Sequence, residues 1–97
     1  MKAKPKPFAI HVLGRRWFGK THGNTYHTAE IFVNGNFAVR TDRSYGYGDH
    51  YMQTAHEWLQ ANGYLPKETN DSLWMHCQDN GIALTYTAAD VPRRMDL

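Results

Sequence analysis

Residues 25–41 read Thr-Tyr-His-Thr-Ala-Glu-Ile-Phe-Val-Asn-Gly-Asn-Phe-Ala-Val-Arg-Thr, which is two β-prone runs around an Asn-Gly pair. β-branched and aromatic residues dominate both runs, and such segments predict strands. The pair Asn34-Gly35 is the strongest turn signal in the chain, because both residues tolerate a positive φ. We therefore predict an antiparallel hairpin with strands over residues 25–33 and 37–41.

The register of this hairpin decides which side chains face the core. A two-residue turn would pair Phe32 with Phe37 and mix apolar and polar groups on each face, whereas a three-residue turn keeps odd-numbered residues together. We expect the three-residue turn. The expected core face then carries Ala29, Ile31, Val33, Phe37 and Val39. The opposite face carries Tyr26, Thr28, Glu30, Phe32, Ala38 and Arg40.

Upstream of the hairpin the pattern predicts one more strand. Phe8, Ile10 and Val12 alternate with their neighbours, so we expect a strand over residues 8–13. Residues 14–24 are polar and contain several glycines, which predicts a long connection. Lys and Pro alternate over residues 1–7, and this pattern predicts a flexible basic arm.

Downstream, two helices and a last strand are expected. Asp49 is a good N-cap for a helix that ends at Asn62-Gly63-Tyr64, where Tyr64 would reach back to Leu59 in a Schellman motif. Residues 72–79 form a second helix capped by Asp71, although a hairpin turning at residues 80–81 is the alternative. Apolar residues at 82, 84 and 86 predict the last strand.

The expected architecture is a single α+β domain over residues 1–97. An antiparallel sheet of three to four strands carries two helices on one face, in the order strand-strand-strand-helix-helix-strand. A hydrophobic content of 41% with 21% charged residues is typical of globular chains, and no apolar run is long enough to span a membrane. The one cysteine, Cys77, excludes an internal disulfide and favours a reducing cytoplasm.

The sequence contains no convincing catalytic or metal-binding motif. The six histidines lack the spacings of paired metal ligands, and His76 and Cys77 diverge by about 100° on a helix. The string from Gly14 to Thr21 fits G-x-x-x-x-G-K-T, but bulky side chains fill its middle and no helical pattern follows. We therefore predict a protein that is not an enzyme and holds neither a metal nor a cofactor.

The charges are unevenly distributed along the chain. Residues 1–43 hold eight basic residues and two acidic ones, whereas residues 44–92 hold one basic residue and six acidic ones. An asymmetry of this kind indicates an electrostatic partner. It supports two opposite binding hypotheses.

In the first hypothesis a protein or ribonucleoprotein complex docks on the uncovered sheet face, and acidic side chains imitate phosphates. Its contacts are Tyr26, Thr28, Glu30, Phe32, Asn36, Glu68, Asp71 and Asp79. In the alternative hypothesis the basic half binds nucleic acid directly through phosphate contacts and aromatic stacking. Its contacts are Arg15, Arg16, Trp17, Lys20, Tyr45 and Tyr47.

Several stretches between residues 8 and 97 resemble small bacterial and phage reading frames of unassigned function. The stretches are Gly23-Asn24-Thr25-Tyr26-His27-Thr28, Tyr45-Gly46-Tyr47-Gly48-Asp49, and Leu73-Trp74 with Cys77 and Asn80-Gly81-Ile82. By size and charge layout the chain is also similar to anti-CRISPR proteins that act on type I surveillance complexes. This resemblance implies a phage inhibitor, possessing no enzymatic activity, that works in the cytoplasm of a bacterial host and blocks a nucleic-acid-binding surface.

Overall fold

The computed structural model describes residues 7–21, 23–67 and 72–97. It is an α+β fold in which a mixed five-stranded sheet carries two helices. The strands are β1 Ala9–Gly19, β2 Asn24–Val33, β3 Asn36–Arg40, β4 Ser44–Tyr45 and β5 Ala83–Asp90. The helices are α1 His50–Ala61 and α2 Leu73–Asp79, and a 3₁₀ turn covers Arg94–Asp96.

The sheet is mixed, and the prediction of a wholly antiparallel sheet is wrong. Its main path runs β3-β2-β1-β5, and β4 pairs with β2 beyond the end of β3. The first three strands are antiparallel, but β5 lies parallel to β1, with Ile10 beside Leu84. The parallel pairing follows from the connection through α1 and α2, because such a crossover carries the chain to the end of the sheet opposite the one where β4 ends, so that β5 starts at the same end as β1.

Strand β1 is longer than the sequence pattern predicts. It continues through Gly14 and pairs with β2 as far as Gly19 opposite Asn24, so the predicted long connection over residues 14–24 is wrong. Position 14 of this strand is a glycine for a steric reason. A Cβ atom there would lie 2.5 Å from Cγ of Tyr51, so the glycine makes room for the first turn of α1.

The β2–β3 hairpin has a two-residue turn, and the prediction of a three-residue turn is wrong. Asn34 and Gly35 have φ values of 53° and 83°, as a type I′ turn requires. Phe32 therefore pairs with Phe37, which is 59% exposed and does not enter the core. A bulge between Ile31 and Phe32 then shifts the register, so that Ile31 pairs with Val39.

The core lies between one sheet face and the two helices. On β2 the predicted parity is confirmed, because Ala29, Ile31 and Val33 are buried. The same core takes even-numbered residues of β1 and the inner sides of both helices. Its buried members are Ile10, Val12, Ala29, Ile31, Val33, Tyr51, Met52, Ala55, Leu59, Leu65, Leu73 and Cys77. The odd-numbered side chains of β1 therefore point to the other side of the sheet.

The predicted helix ends are confirmed at both C-termini. The amide of Tyr64 donates to the carbonyl of Leu59 at 2.9 Å, and that of Ile82 donates to Cys77 at 2.9 Å. Each hydrogen bond is the long bond of a Schellman motif.

The N-caps differ from the prediction. The side chain of Asp49 makes no capping bond, although α1 begins directly after it. Ser72 caps α2 by accepting a hydrogen bond from the amide of Met75 at 3.3 Å. Asp71, the expected cap, lies outside the described residues.

Some further expectations concern single residues. Residues 1–6 of the predicted arm lie outside the described residues, but Pro7 is buried and so does not belong to a flexible arm. His56 on α1 is buried, whereas Trp74 on α2 is exposed and packs its ring against Tyr86. Among the described residues, neither helix has the length and apolar character needed to cross a membrane.

Candidate nucleic-acid interface

The sheet face opposite the helices, called here the open face, carries an ordered array of side chains. Cross-strand partners in a sheet point to the same side, so the register fixes the members of this face. Strand β1 supplies His11, Leu13, Arg15 and Trp17, and their partners on β2 are Phe32, Glu30, Thr28 and Tyr26. The outer members are Phe37 and Arg40 on β3, Tyr45 on β4, and Thr85 and Thr87 on β5.

Three aromatic rings meet at one end of the open face. The rings of Trp17 and Tyr26 are stacked, with centroids 6.1 Å apart and an interplanar angle of 27°. Tyr45 meets Tyr26 edge-on at 5.7 Å and is 62% exposed. Its hydroxyl donates to Oδ1 of Asn24 at 3.0 Å, which fixes the ring at the strand edge. We call these three rings the tryptophan end.

A second aromatic group lies at the other end of the face. Phe32 contacts Phe37 edge-on at 5.5 Å and His11 at 5.8 Å. His11 Nδ1 is within 2.8 Å of Oγ1 of Thr85, so β5 helps to hold this ring. The two groups are six residues apart along β2, which is about 20 Å at the usual rise of a strand.

Between the aromatic groups lies a cluster of charged side chains. Nη1 of Arg15 donates to Oε1 of Glu30 at 2.6 Å, and Nε of Arg40 is 3.9 Å from the same oxygen. The Glu30 side chain is only 16% exposed, so it presents little negative charge to solvent. Thr28, predicted as a contact, is buried beside this cluster at 3% exposure and does not form part of the accessible surface.

A depression of about 420 Å³ opens beside the tryptophan end. Trp17 and Tyr26 form one wall, the end of β1 and the β1–β2 turn contribute Gly19 and Thr21, and two arginines complete the lining. These are Arg43, from the segment between β3 and β4, and Arg94, from the C-terminal 3₁₀ turn that contacts β1. Neither guanidinium forms an ion pair with a carboxylate in the described part of the chain.

A larger depression, of about 880 Å³, lies between residues 45–50 and the two helices. Among the described residues, its lining includes His50, Trp74 and Asp49 but no arginine or lysine. Of these two depressions, the smaller one is therefore the better match for a phosphate-bearing ligand, since size alone does not recognise a charge.

The structure does not assemble the predicted acidic contact set. Tyr26, Glu30 and Phe32 lie on the open face, but Asn36 pairs with Val33 and so points to the helical side. Asp79 is the last residue of α2, in the helical layer. Glu68 and Asp71 lie outside the described residues.

The predicted basic contact set is divided between locations. Arg15, Trp17 and Tyr45 lie on the open face. This face also carries Tyr26 and Phe32, which belong to the predicted acidic contact set. Arg16 points to the other side, where it donates to Oδ1 of Asp90 at 2.9 Å and to the Gly48 carbonyl at 3.1 Å. Lys20 is exposed in the β1–β2 turn, and Tyr47 is 79% exposed in the loop before α1. Both line a depression of about 680 Å³ together with Arg16 and Trp17.

Behind the tryptophan end, a buried histidine connects the sheet to α1. His27 Nδ1 donates to the Gly46 carbonyl at 3.1 Å, and its Nε2 accepts from the hydroxyl of Thr54 at 2.7 Å. Burial lowers the pKa of His27 below its usual value, and the nearby His50 adds to this effect against the opposing Gly46 hydrogen bond. The neutral ring fixes the segment that leads from Tyr45 into α1.

Sequence reasoning missed three side chains that the fold brings to the open face: His11, Phe37 and Arg94. Phe37 is expected in the core only if the hairpin turn has three residues, and the turn has two. Arg43 belongs to the basic first half that the nucleic-acid hypothesis uses for phosphate contacts, whereas Arg94 lies in a separate segment and only its charge could have indicated it. Among the described residues, no group of three or more histidine, cysteine or acidic side chains could hold a metal ion.

No protein-family model matches the chain, and no curated protein or solved structure matches it either.

Proposed function

We propose that this protein binds single-stranded nucleic acid on the open face of its sheet. One observation carries the proposal: exposed aromatic rings and arginines occupy the same sheet face, and the helices occupy the other. Proteins that bind single strands without strong sequence preference combine a basic surface with rings on which bases stack.

The aromatic groups supply stacking positions at both ends. Tyr45 at the tryptophan end and Phe37 at the other end are the most exposed of the rings. Each stacked base contributes about 1–3 kcal/mol when the contact is tested by alanine substitution. A stacked strand rises about 3.4 Å per nucleotide, so the 20 Å between the two groups spans about six nucleotides, and fewer if the strand is extended.

The charge of the face favours phosphates. Arg15, Arg40, Arg43 and Arg94 contribute four guanidinium groups, and the carboxylate of Glu30 is within ion-pair distance of two of them, Arg15 and Arg40. Because Glu30 lies between Arg15 and Arg40, it holds these side chains in place and cancels only part of their charge.

A single strand fits this surface better than a duplex does. In a duplex the bases are stacked on one another and their flat faces are inaccessible to protein rings. The stacking positions of the open face are useful only to unpaired bases. We therefore expect duplex DNA to bind mainly through its phosphates, and more weakly.

Fluorescence anisotropy with labelled dT15, rU15 and a 15-base-pair duplex tests the proposal. We expect single strands to bind more tightly than the duplex, with affinity falling as salt rises from 50 to 200 mM. The double variant Trp17→Ala/Tyr26→Ala should weaken single-strand binding by at least tenfold. Phe18→Ala is the matched control, because this exposed ring is adjacent in sequence but points to the other side of β1. Absence of binding by the wild-type protein would refute the proposal.

The inhibitor hypothesis, with its similarity to anti-CRISPR proteins, stays a prediction. A row of phosphate-like carboxylates would need several acids on one surface, whereas Glu30 is paired with arginine and Asp79 lies in the helical layer. The anisotropy experiment distinguishes the two hypotheses, because a mimic of nucleic acid should not bind the oligonucleotides.

A further inference from the structure

We infer that the depression beside Trp17 is a nucleotide subsite that binds one base together with the phosphates on either side of it. This inference rests on the proposed function and specifies where on the open face the ligand is held. The ligand class is a nucleoside phosphate, either as a unit of a single strand or as a separate nucleotide.

The lining of the depression combines the two chemistries that a nucleotide presents. Trp17 and Tyr26 give a wall of stacked rings for a base. Arg43 and Arg94 provide guanidinium groups, which match phosphate oxygens in charge and geometry. The volume of about 420 Å³ is within the range of about 300–1,000 Å³ that is usual for small-molecule sites.

Three segments far apart in sequence converge on this depression. They are the β1–β2 turn at Thr21, the β3–β4 segment at Arg43 and the C-terminal turn at Arg94. The two arginines differ from the other arginines of the described chain. Arg15, Arg16, Arg40 and Arg93 are all within ion-pair distance of Glu30, Asp90 or Asp96. Two guanidinium groups without a carboxylate partner among the described residues, beside a half-buried aromatic wall, are complementary to an anionic aromatic ligand.

The position of the depression gives it a defined role on the open face. It adjoins the tryptophan end, whereas the other aromatic group is about 20 Å away along β2. A strand that enters the depression can continue across Arg15 and Arg40 toward Phe32. The depression therefore fixes one end of the bound strand.

The first test uses the variants Arg43→Gln and Arg94→Gln, singly and together, with labelled dT15. Each substitution should make the log–log salt dependence of binding shallower by about 0.7, and the double variant should bind at least tenfold more weakly at 50 mM salt. Arg93→Gln is the matched control, because Arg93 is adjacent in sequence but paired with Asp96. We expect this control to keep the wild-type affinity.

The second test is calorimetry with thymidine 3′,5′-bisphosphate, thymidine and inorganic phosphate. The bisphosphate should bind at least tenfold more tightly than the other two, and Trp17→Ala should abolish the difference. If dT15 binds but neither arginine variant changes its affinity, the subsite is wrong and the proposed function stands. If the bisphosphate binds but dT15 does not, the subsite stands and the proposed function is wrong. If neither ligand binds, both are wrong.

Discussion

Nη1 of Arg15 lies 2.6 Å from Oε1 of Glu30, and this pair occupies the middle of the open face between the two aromatic groups. Arg40 approaches the same carboxylate oxygen from β3. The carboxylate thus holds two arginines on the face and also reduces their combined charge.

The variant Glu30→Gln separates the two binding hypotheses. Removing the negative charge should tighten dT15 binding about three- to tenfold and steepen its salt dependence, because Arg15 and Arg40 then face the phosphates uncompensated. The free energy of unfolding should change by about 1 kcal/mol or less, since part of the ion cluster is exposed. Anisotropy and urea denaturation measure the two effects. Weaker binding would contradict this expectation and would show that Glu30 contributes more by holding the two arginines in place than it costs by reducing their charge.

The contact between Gly14 and Tyr51 predicts a specific steric coupling. In Gly14→Ala the new Cβ would lie 2.5 Å from the Tyr51 ring, so the ring or α1 must shift. We expect a loss of about 1–3 kcal/mol in unfolding free energy, as for other overpacked core positions. In the background Tyr51→Leu the same substitution should cost at least 1 kcal/mol less. Equal costs in both backgrounds, measured by urea denaturation, would contradict the coupling.

The two helix starts predict different costs for similar substitutions. Ser72→Ala removes a side chain that accepts from the Met75 amide and should cost about 1 kcal/mol of stability. Asp49→Ala removes no capping bond and should stay within about 0.5 kcal/mol of wild type. Thermal denaturation of both variants tests this difference. A larger loss in Asp49→Ala than in Ser72→Ala would show that Asp49 is the functional cap.

Much of the fold could be predicted from local patterns. The turn pair Asn34-Gly35 and the glycines at 63 and 81 have positive φ values, and these positions were recognisable because few other residues adopt them. The parity of β2 was predictable because strand side chains alternate. Elements whose position depends on residues distant in sequence could not be predicted from these patterns. In the sequence, Gly14 resembles a residue that ends a strand. Its contact with Tyr51, which explains the glycine, is visible only in the folded structure.

The candidate site was predicted only in part for the same reason. The sequence indicates Trp17 and Tyr45 as candidate stacking residues of a basic region. Their contact with Tyr26 follows from strand register, which a continuous β1 determines. The position of Phe37 depends on the length of the hairpin turn, and Arg43 and Arg94 meet through the tertiary fold alone. The counts of basic and acidic residues along the chain could indicate that a basic surface exists, but not where it lies in the fold.

Two buried histidines predict a loss of stability in acid. Burial lowers the pKa of His27, and burial together with nearby His76 lowers that of His56, with Glu57 opposing. At pH values between these lowered pKa values and the usual histidine pKa of about 6.5, the unfolded chain therefore binds more protons than the folded one. Stability is at its maximum above that usual value and falls as the pH decreases below it.

Thermal denaturation between pH 7.5 and pH 5 measures this effect. We expect the Tm to fall with decreasing pH, and the double variant His27→Gln/His56→Gln to show a flatter profile from a lower starting Tm. His11→Gln is the control, because this histidine lies on the open face outside the core. An unchanged slope in the double variant would assign the acid sensitivity to other groups.

The three tryptophans offer the most direct measurement of where the ligand binds. Trp17 lies on the open face, whereas Trp58 and Trp74 belong to the two helices. A ¹H–¹⁵N correlation experiment resolves their three indole N–H signals while the protein is titrated with dT6. Binding on the open face predicts that the Trp17 signal shifts with added dT6 and that the Trp58 and Trp74 signals stay in place. A shift confined to Trp58 or Trp74, or no shift at all, would contradict it.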